Sequence, residues 1–284
     1  MLDFHTYPIM IKELTDADHL LAQNIHNILG FHFPSQPLAC FLRELDEAGI
    51  DKAVILPLDC TIAHDCVIVS NEQIANLVKS SKRLVGFASV DPHQADAPIR
   101  LREAICHLGL SGLNLDPAVQ RFYPNDSENA FPLYQVCADL EIPAFVQCGM
   151  SWAPSGLAKY SQPVLLEEAV QSFPSVNFVL GHFGWPWILE SAMLALKYPN
   201  VYLDTAILFS GPPNDAYRHV LVEQLGLNVI ERSLFQKILF GSSYPRIDIR
   251  RSVRGLCSLG LSPAAEKAIL GGNASRLLNQ KELK

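Results

Sequence analysis

Eight times along this chain a short, β-branched apolar run gives way to a longer stretch with helical spacing. The runs are Leu2–His5, Ala53–Pro57, Leu84–Val90, Gly112–Leu115, Ala144–Cys148, Asn177–His182, Val201–Asp204 and Ile238–Ser242. They are apolar on both faces, as strands of a buried parallel sheet are, whereas half-solvated antiparallel strands alternate. Helical spacing occupies Pro37–Ala48, Asn71–Ser80, Ala97–Leu108, Asn129–Leu140, Pro163–Ser172, Trp187–Lys197, Asp215–Arg232 and Pro263–Leu278. Ser262 before Pro263 reads as an N-cap, Asn273 as the cap of a last short helix, and Gly49 and Gly109 as C-caps.

Eight alternations in 284 residues predict an α/β fold of the (β/α)8 TIM-barrel type, as a single domain over residues 1–284. Its largest excursion is the loop Thr6–Gln36. An open dinucleotide-binding sheet is disfavoured, because no GxGxxG follows the first strand, and no phosphate-binding P-loop motif occurs. Cofactors are therefore expected to be none.

Charge and cysteines narrow the setting. Twenty-two Lys+Arg against 29 Asp+Glu, with no basic stripe, argue against a nucleic-acid partner. No apolar run is long enough to span a bilayer, and residues 1–15 lack the marks of a signal peptide. The seven cysteines are odd in number and show no CxxC spacing, which reads as reduced thiols of a cytoplasmic protein. A small-molecule substrate is the expected partner, and outer-helix contacts would allow a homodimer.

In a barrel the chemistry gathers at the C-terminal ends of the strands. Those ends read Asp3-Phe4-His5-Thr6-Tyr7, Asn114-Leu115-Asp116, Gln147-Cys148-Gly149, Gly181-His182-Phe183-Gly184-Trp185, Asp204-Thr205 and Gly241-Ser242-Ser243-Tyr244-Pro245-Arg246.

Seven stretches in shared order carry a resemblance: 45–54, 84–92, 110–115, 180–184, 199–205, 237–242 and 269–277. Over nearly its whole length the chain resembles the amidohydrolase-related branch of the amidohydrolase superfamily. That branch includes aminocarboxymuconate-semialdehyde decarboxylase, pyrone-dicarboxylate lactonase and galactarolactone isomerase. In its metal-dependent members strand one ends in His-x-His, strand five supplies a His and strand eight an Asp. At those positions this chain has His5, Tyr7, Gln147 and Ser243.

Phenol, carboxamide and hydroxyl are poor substitutes for imidazole and carboxylate as ligands. A metal-free site is thus the expectation, with Cys148 turned away from the face of Gln147. The resemblance makes His182 the general acid/base, and His5 a second such group, a substrate donor, or a relic satisfied by neighbours such as Tyr7 or Gln147. Tyr7, Gln147 and Ser243 would bind a polar substrate or pack on one another. Arg246 would pair with a substrate carboxylate unless Asp248 claims it, and Asn114 would contact substrate or fill the interior. Trp152, Trp185 and Trp187 would wall a pocket. His64, Asp65 and Cys66 read as a solvated loop, with a metal cluster as the alternative.

Three readings follow: a metal-independent hydrolase or isomerase of a small carboxylated lactone or enolisable carbonyl compound; a pseudoenzyme that binds a ligand or partner; and a metal-dependent hydrolase or decarboxylase with a site relocated to His5, His182 and Asp204.

Overall fold

In the computed structural model, which describes residues 1–32, 34–206 and 211–278, the apolar runs pair as parallel strands. They are β1 (Leu2–Thr6), β2 (Lys52–Ile55), β3 (Leu84–Gly86), β4 (Leu113–Leu115), β5 (Ala144–Val146), β6 (Phe178–Leu180), β7 (Val201–Asp204) and β8 (Ile238–Leu239). One arc runs β1-β2-β3 and a second β4-β5-β6-β7-β8. Two seams join them. Ala88, just past β3, donates to Gly112 O (2.7 Å) and accepts from Asn114 N (2.7 Å). On the other side Phe4 N donates to Phe240 O (2.8 Å), Ser243 N to His5 O (2.8 Å) and Tyr7 N to Tyr244 O (2.8 Å). The result is a closed (β/α)8 barrel.

Alternation along the strands sorts two apolar clusters. Leu2, Phe4, Val54, Phe87, Phe145, Val179 and Leu239 fill the barrel, with Phe4 edge-on to Phe87 at 5.6 Å. Ala53, Ile55, Leu113, Val146, Leu180 and Leu203 face the surrounding helices. A period of two would turn His5 outward together with Asp3. Instead β1 carries a bulge: Asp3 pairs with Ala53 and Thr6 with Ile55, three steps against two. A bulge re-aims the following side chains. His5 consequently lies against the interior ring of Phe145, at 4.9 Å.

Helix punctuation is local. Ser70 and Gln73 form a capping box on Asn71–Ser80, and Ser262 caps Pro263–Lys267 by accepting from Ala265 N. Gly49 ends Leu38–Ala48 with φ +71°. Gly109 is also left-handed, but the helix before it ends earlier, at Cys106. Asn273 does not cap. It is the first residue of Asn273–Leu278, and its amide donates to Phe235 O and Ile238 O (both 2.7 Å), tying that helix to β8.

Other departures have physical causes. Most strands are shorter than their apolar runs, because ladder pairing stops where the mouth loops diverge. The helical stretch 215–232 is broken at Gly226, whose φ is +86°. Helix Ile249–Cys257 was not expected; it begins at Asp248, which accepts from Arg251 N. An antiparallel hairpin, Leu58–Cys60 with Cys66–Ile68, also appears after β2. Hence Cys66 lies in a strand, while His64 ends a short helical turn and reaches Val119 O (3.1 Å). Among the described residues no cluster of three metal-ligating side chains occurs, and no helix is long and apolar enough to cross a membrane.

Candidate active site

A narrow cavity of about 50 Å³ opens at the C-terminal ends of the strands. Tyr7, Asn114, Gln147, Trp152, His182, Ser243 and Arg246 line it, so seven of the side chains expected at a site converge there.

His182 sits in a left-handed turn after β6 (φ +56°), followed by left-handed Phe183. That conformation is rare for a residue with a Cβ and is held by its surroundings. Nδ1 lies 2.8 Å from Ala206 O. A carbonyl only accepts, so Nδ1 carries the proton and Nε2 presents a lone pair. Burial, then the charge of His5 and of Arg246, pushes the imidazole down to about 4. His182 is accordingly neutral at pH 7.

His5 is fully buried and lies outside the cavity lining. Its Nδ1 faces Asp204 Oδ2 (2.7 Å) and its Nε2 faces Tyr7 Oη (2.8 Å). Because the carboxylate accepts, Nδ1 donates to Asp204, and Nε2 shares a second hydrogen bond with the Tyr7 hydroxyl. Gln147 Nε2 donates to Tyr7 Oη at 2.7 Å. Asp204, His5, Tyr7 and Gln147 therefore form one hydrogen-bonded row, with only Tyr7 and Gln147 reaching the cavity. The expectation that His5 meets substrate is corrected: the bulge in β1 brings it inward, but beneath Tyr7. Burial, with the charges of Asp116 and Asp204, keeps the Tyr7 phenol well above its usual range and so protonated.

Glycine makes this row possible. A Cβ at Gly241 would lie 2.7 Å from His5 Cβ and 3.1 Å from Asp204 Oδ1.

Arg246 is not held by Asp248, which caps a helix. Its guanidinium lies 4.0 Å over the Phe31 ring and donates to Leu29 O (2.8 Å), both on the long loop after β1. Among the described residues it has no ion-pair partner. Asn114 donates to Pro57 O (2.6 Å), yet its Oδ1, Gln147 Oε1 and Ser243 Oγ are buried without a hydrogen-bond partner among the described residues. Unsatisfied polar atoms are scarce in folded proteins, and three at one cavity mark a place for a ligand.

Of the tryptophans only Trp152 lines the cavity. Trp185, expected at the pocket, instead packs against the outer apolar cluster, because the Gly184-Trp185 turn carries it past the mouth. Cys148 belongs to that cluster too, yet it also lines the cavity, against the expectation that it turns away from the face of Gln147, and burial raises its thiol well above the usual range.

Two acids complete the site: Asp204, expected only as a ligand of a relocated metal, and Asp116, to which no role was expected. Asp204 orients His5, and Asp116 lines the cavity, pushed up to about 6 by burial while its Oδ1 accepts from Val119 N (3.1 Å). Position at a strand end was the available signal for both.

A family model described as Amidohydrolase matches residues 33–280, and the chain belongs to that family. Protein fluG of Emericella nidulans is 40% identical over 65 residues, 23% of this chain and 8% of that protein's length. Solved structures share the fold. An uncharacterized TIM-barrel protein of Bordetella bronchiseptica is 24% identical with a TM-score of 0.78, covering 99% of both chains. A probable 2-pyrone-4,6-dicarboxylic acid hydrolase of Acinetobacter baumannii is 15% identical with a TM-score of 0.67, over 98% of both. The 5-carboxyvanillate decarboxylase of Sphingomonas paucimobilis is 16% identical with a TM-score of 0.64, also over 98% of both.

Proposed function

We propose that this protein is a metal-independent hydrolase or isomerase of a small carboxylated lactone or enolisable carbonyl compound, with His182 as general base and then acid. The observation that carries the reading is the convergence in one cavity of the Nε2 lone pair of His182, the Arg246 cation without a carboxylate partner, and three unsatisfied polar atoms.

The donor set supports the metal-independent part. Both His5 nitrogens are engaged, Asp204 accepts through both oxygens, and Tyr7, Gln147 and Ser243 are neutral groups that bind divalent cations weakly. These residues do not fit the family's metal, nor do His5, His182 and Asp204 offer a relocated site.

Arg246 holds the substrate carboxylate in a charge-assisted pair. Tyr7, fixed by the row behind it, and the Ser243 hydroxyl orient the reacting carbonyl, while Asn114 Oδ1 and Gln147 Oε1 accept from substrate hydroxyls or the attacking water. His182 takes a proton from water or from the carbon beside the carbonyl. A conjugate acid with a pKa near 4 gives the proton back readily, to the leaving or enolic oxygen. A positioned histidine supplies about 10²–10⁴-fold and oriented donors about 10²–10³-fold more. Those factors suit lactones and enolisable acids better than unactivated amides.

The test is turnover of a panel of carboxylated lactones and keto acids, with protein prepared without a metal-binding tag, before and after exhaustive dialysis against chelator. Turnover is expected to survive chelation, to fall at least 10²-fold in His182→Gln, and to fall about 10²–10³-fold in Tyr7→Phe. Stoichiometric zinc or manganese whose removal abolishes turnover overturns the reading. So does a His182→Gln variant that turns over normally.

A further inference from the structure

We propose that Cys60 and Cys66 are a redox-active dithiol, converted to an intramolecular disulfide by a peroxide and restored by a thiol reductant. The hairpin after β2 sets them directly opposite one another, in the register Leu58 with Ile68, Asp59 with Val67 and Cys60 with Cys66. Opposed residues of an antiparallel pair have Cα atoms about 4.5–5.5 Å apart, inside the range a disulfide spans. Their sulfurs already lie 3.6 Å apart. No other two cysteines among the described residues are joined by a sulfur contact of this kind. Closing the bond thus needs side-chain rotation and no new backbone path.

The two thiols differ in a way that orders the steps. Cys60 is fully buried, whereas Cys66 is partly exposed at the start of the second strand. The hydrogen bond between the two sulfurs lowers the Cys66 thiol and, with burial, raises that of Cys60, whose S–H also donates to Cys66 O (3.3 Å). A lowered, accessible thiol is the nucleophile of such a pair, and its neighbour resolves it. The Cys66 thiolate attacks one peroxide oxygen, the O–O bond breaks, and Cys66 becomes a sulfenic acid while hydroxide leaves. The Cys60 sulfur then displaces the sulfenic oxygen, which departs as water with the thiol proton, and the S–S bond forms. Two electrons pass from the two sulfurs to the peroxide.

The bond would be felt at the mouth. Leu58 and Ile68, two residues along from the sulfurs, both line the cavity. This inference stands apart from the reaction proposed above, since neither cysteine takes part in it.

The experiment treats the folded full-length protein with hydrogen peroxide, blocks remaining thiols with N-ethylmaleimide, and maps all seven cysteines by peptide mass spectrometry. The expected result is loss of two alkylatable thiols, with a peptide bridging Cys60 and Cys66 that is lighter by two hydrogens and reopened by dithiothreitol. In Cys60→Ser, oxidation is expected to stop at sulfenic or sulfinic acid on Cys66, and in Cys66→Ser no bridge forms. Oxidation confined to the exposed Cys106 and Cys257, with Cys60 and Cys66 still alkylated in the wild-type protein, overturns the proposal. Bridges between molecules in place of the internal one overturn it equally, and neither result depends on a variant folding.

Discussion

At the scale of single residues, the site is governed by what burial does to ionisable groups. An unfolded His182 titrates near 6.5, whereas the folded protein holds it down to about 4. Its contribution to stability is therefore complete above pH 6.5 and is lost as pH falls through that window, by up to about 3 kcal/mol. Asp3 acts in the opposite sense: burial raises it to about 6, so its cost is absent below pH 3.8 and full above pH 6. Urea midpoints of wild type and His182→Gln, measured at pH 7.5 and pH 5, separate the two. The variant is expected to lose less stability on acidification than wild type, and equal losses count against a buried, neutral imidazole. Much of this site was legible beforehand, because strand-end positions are readable from apolar runs; Tyr7, Asn114, Gln147, His182, Ser243 and Arg246 all line the cavity. The depth of His5 was not legible, since it depends on a single extra residue in the pairing of β1 with β2.

The same limit operates at the scale of elements. Continuous apolar runs mark where strands run, but a bulge leaves no trace in composition. Helix Ile249–Cys257 does carry the helical signal, with Ile249, Val253 and Leu256 spaced four and three apart among Arg250, Arg251 and Arg254, but Gly255 lies inside it and argues the other way. Helix interiors disfavour glycine by about 1 kcal/mol. The reason for this one is tertiary: a Cβ there would come within 3.1 Å of the Asn214 backbone and 3.0 Å of the Tyr217 ring. Close approach also explains Gly241 at the end of β8. Gly241→Ala would press on both His5 and Asp204, and is expected to lower stability by about 1–3 kcal/mol while disturbing the Tyr7 hydroxyl. Thermal unfolding together with kcat checks it. An unaltered melting point and kcat show that the row has room to spare.

For the molecule as a whole, the barrel's interior is a packed plug beneath the cavity, in which Phe87 and Phe145 flank Phe4. Phe87→Ala would leave a void that no neighbour can fill, and is expected to cost about 3–5 kcal/mol in denaturant titration. A cost under about 1 kcal/mol would mean that the interior collapses freely. Closure was foreseeable from eight repeats of one strand–helix unit, although which seam would carry the site was not. That seam lies between the first and last strands, where His5 and Tyr7 meet Ser243, with Arg246 just beyond, leaning on Leu29 and Phe31. The groups are more than two hundred residues apart in the chain. During synthesis Ser243 and Arg246 leave the ribosome more than two hundred residues after Tyr7, so this side of the cavity stays open until the last strand has been made.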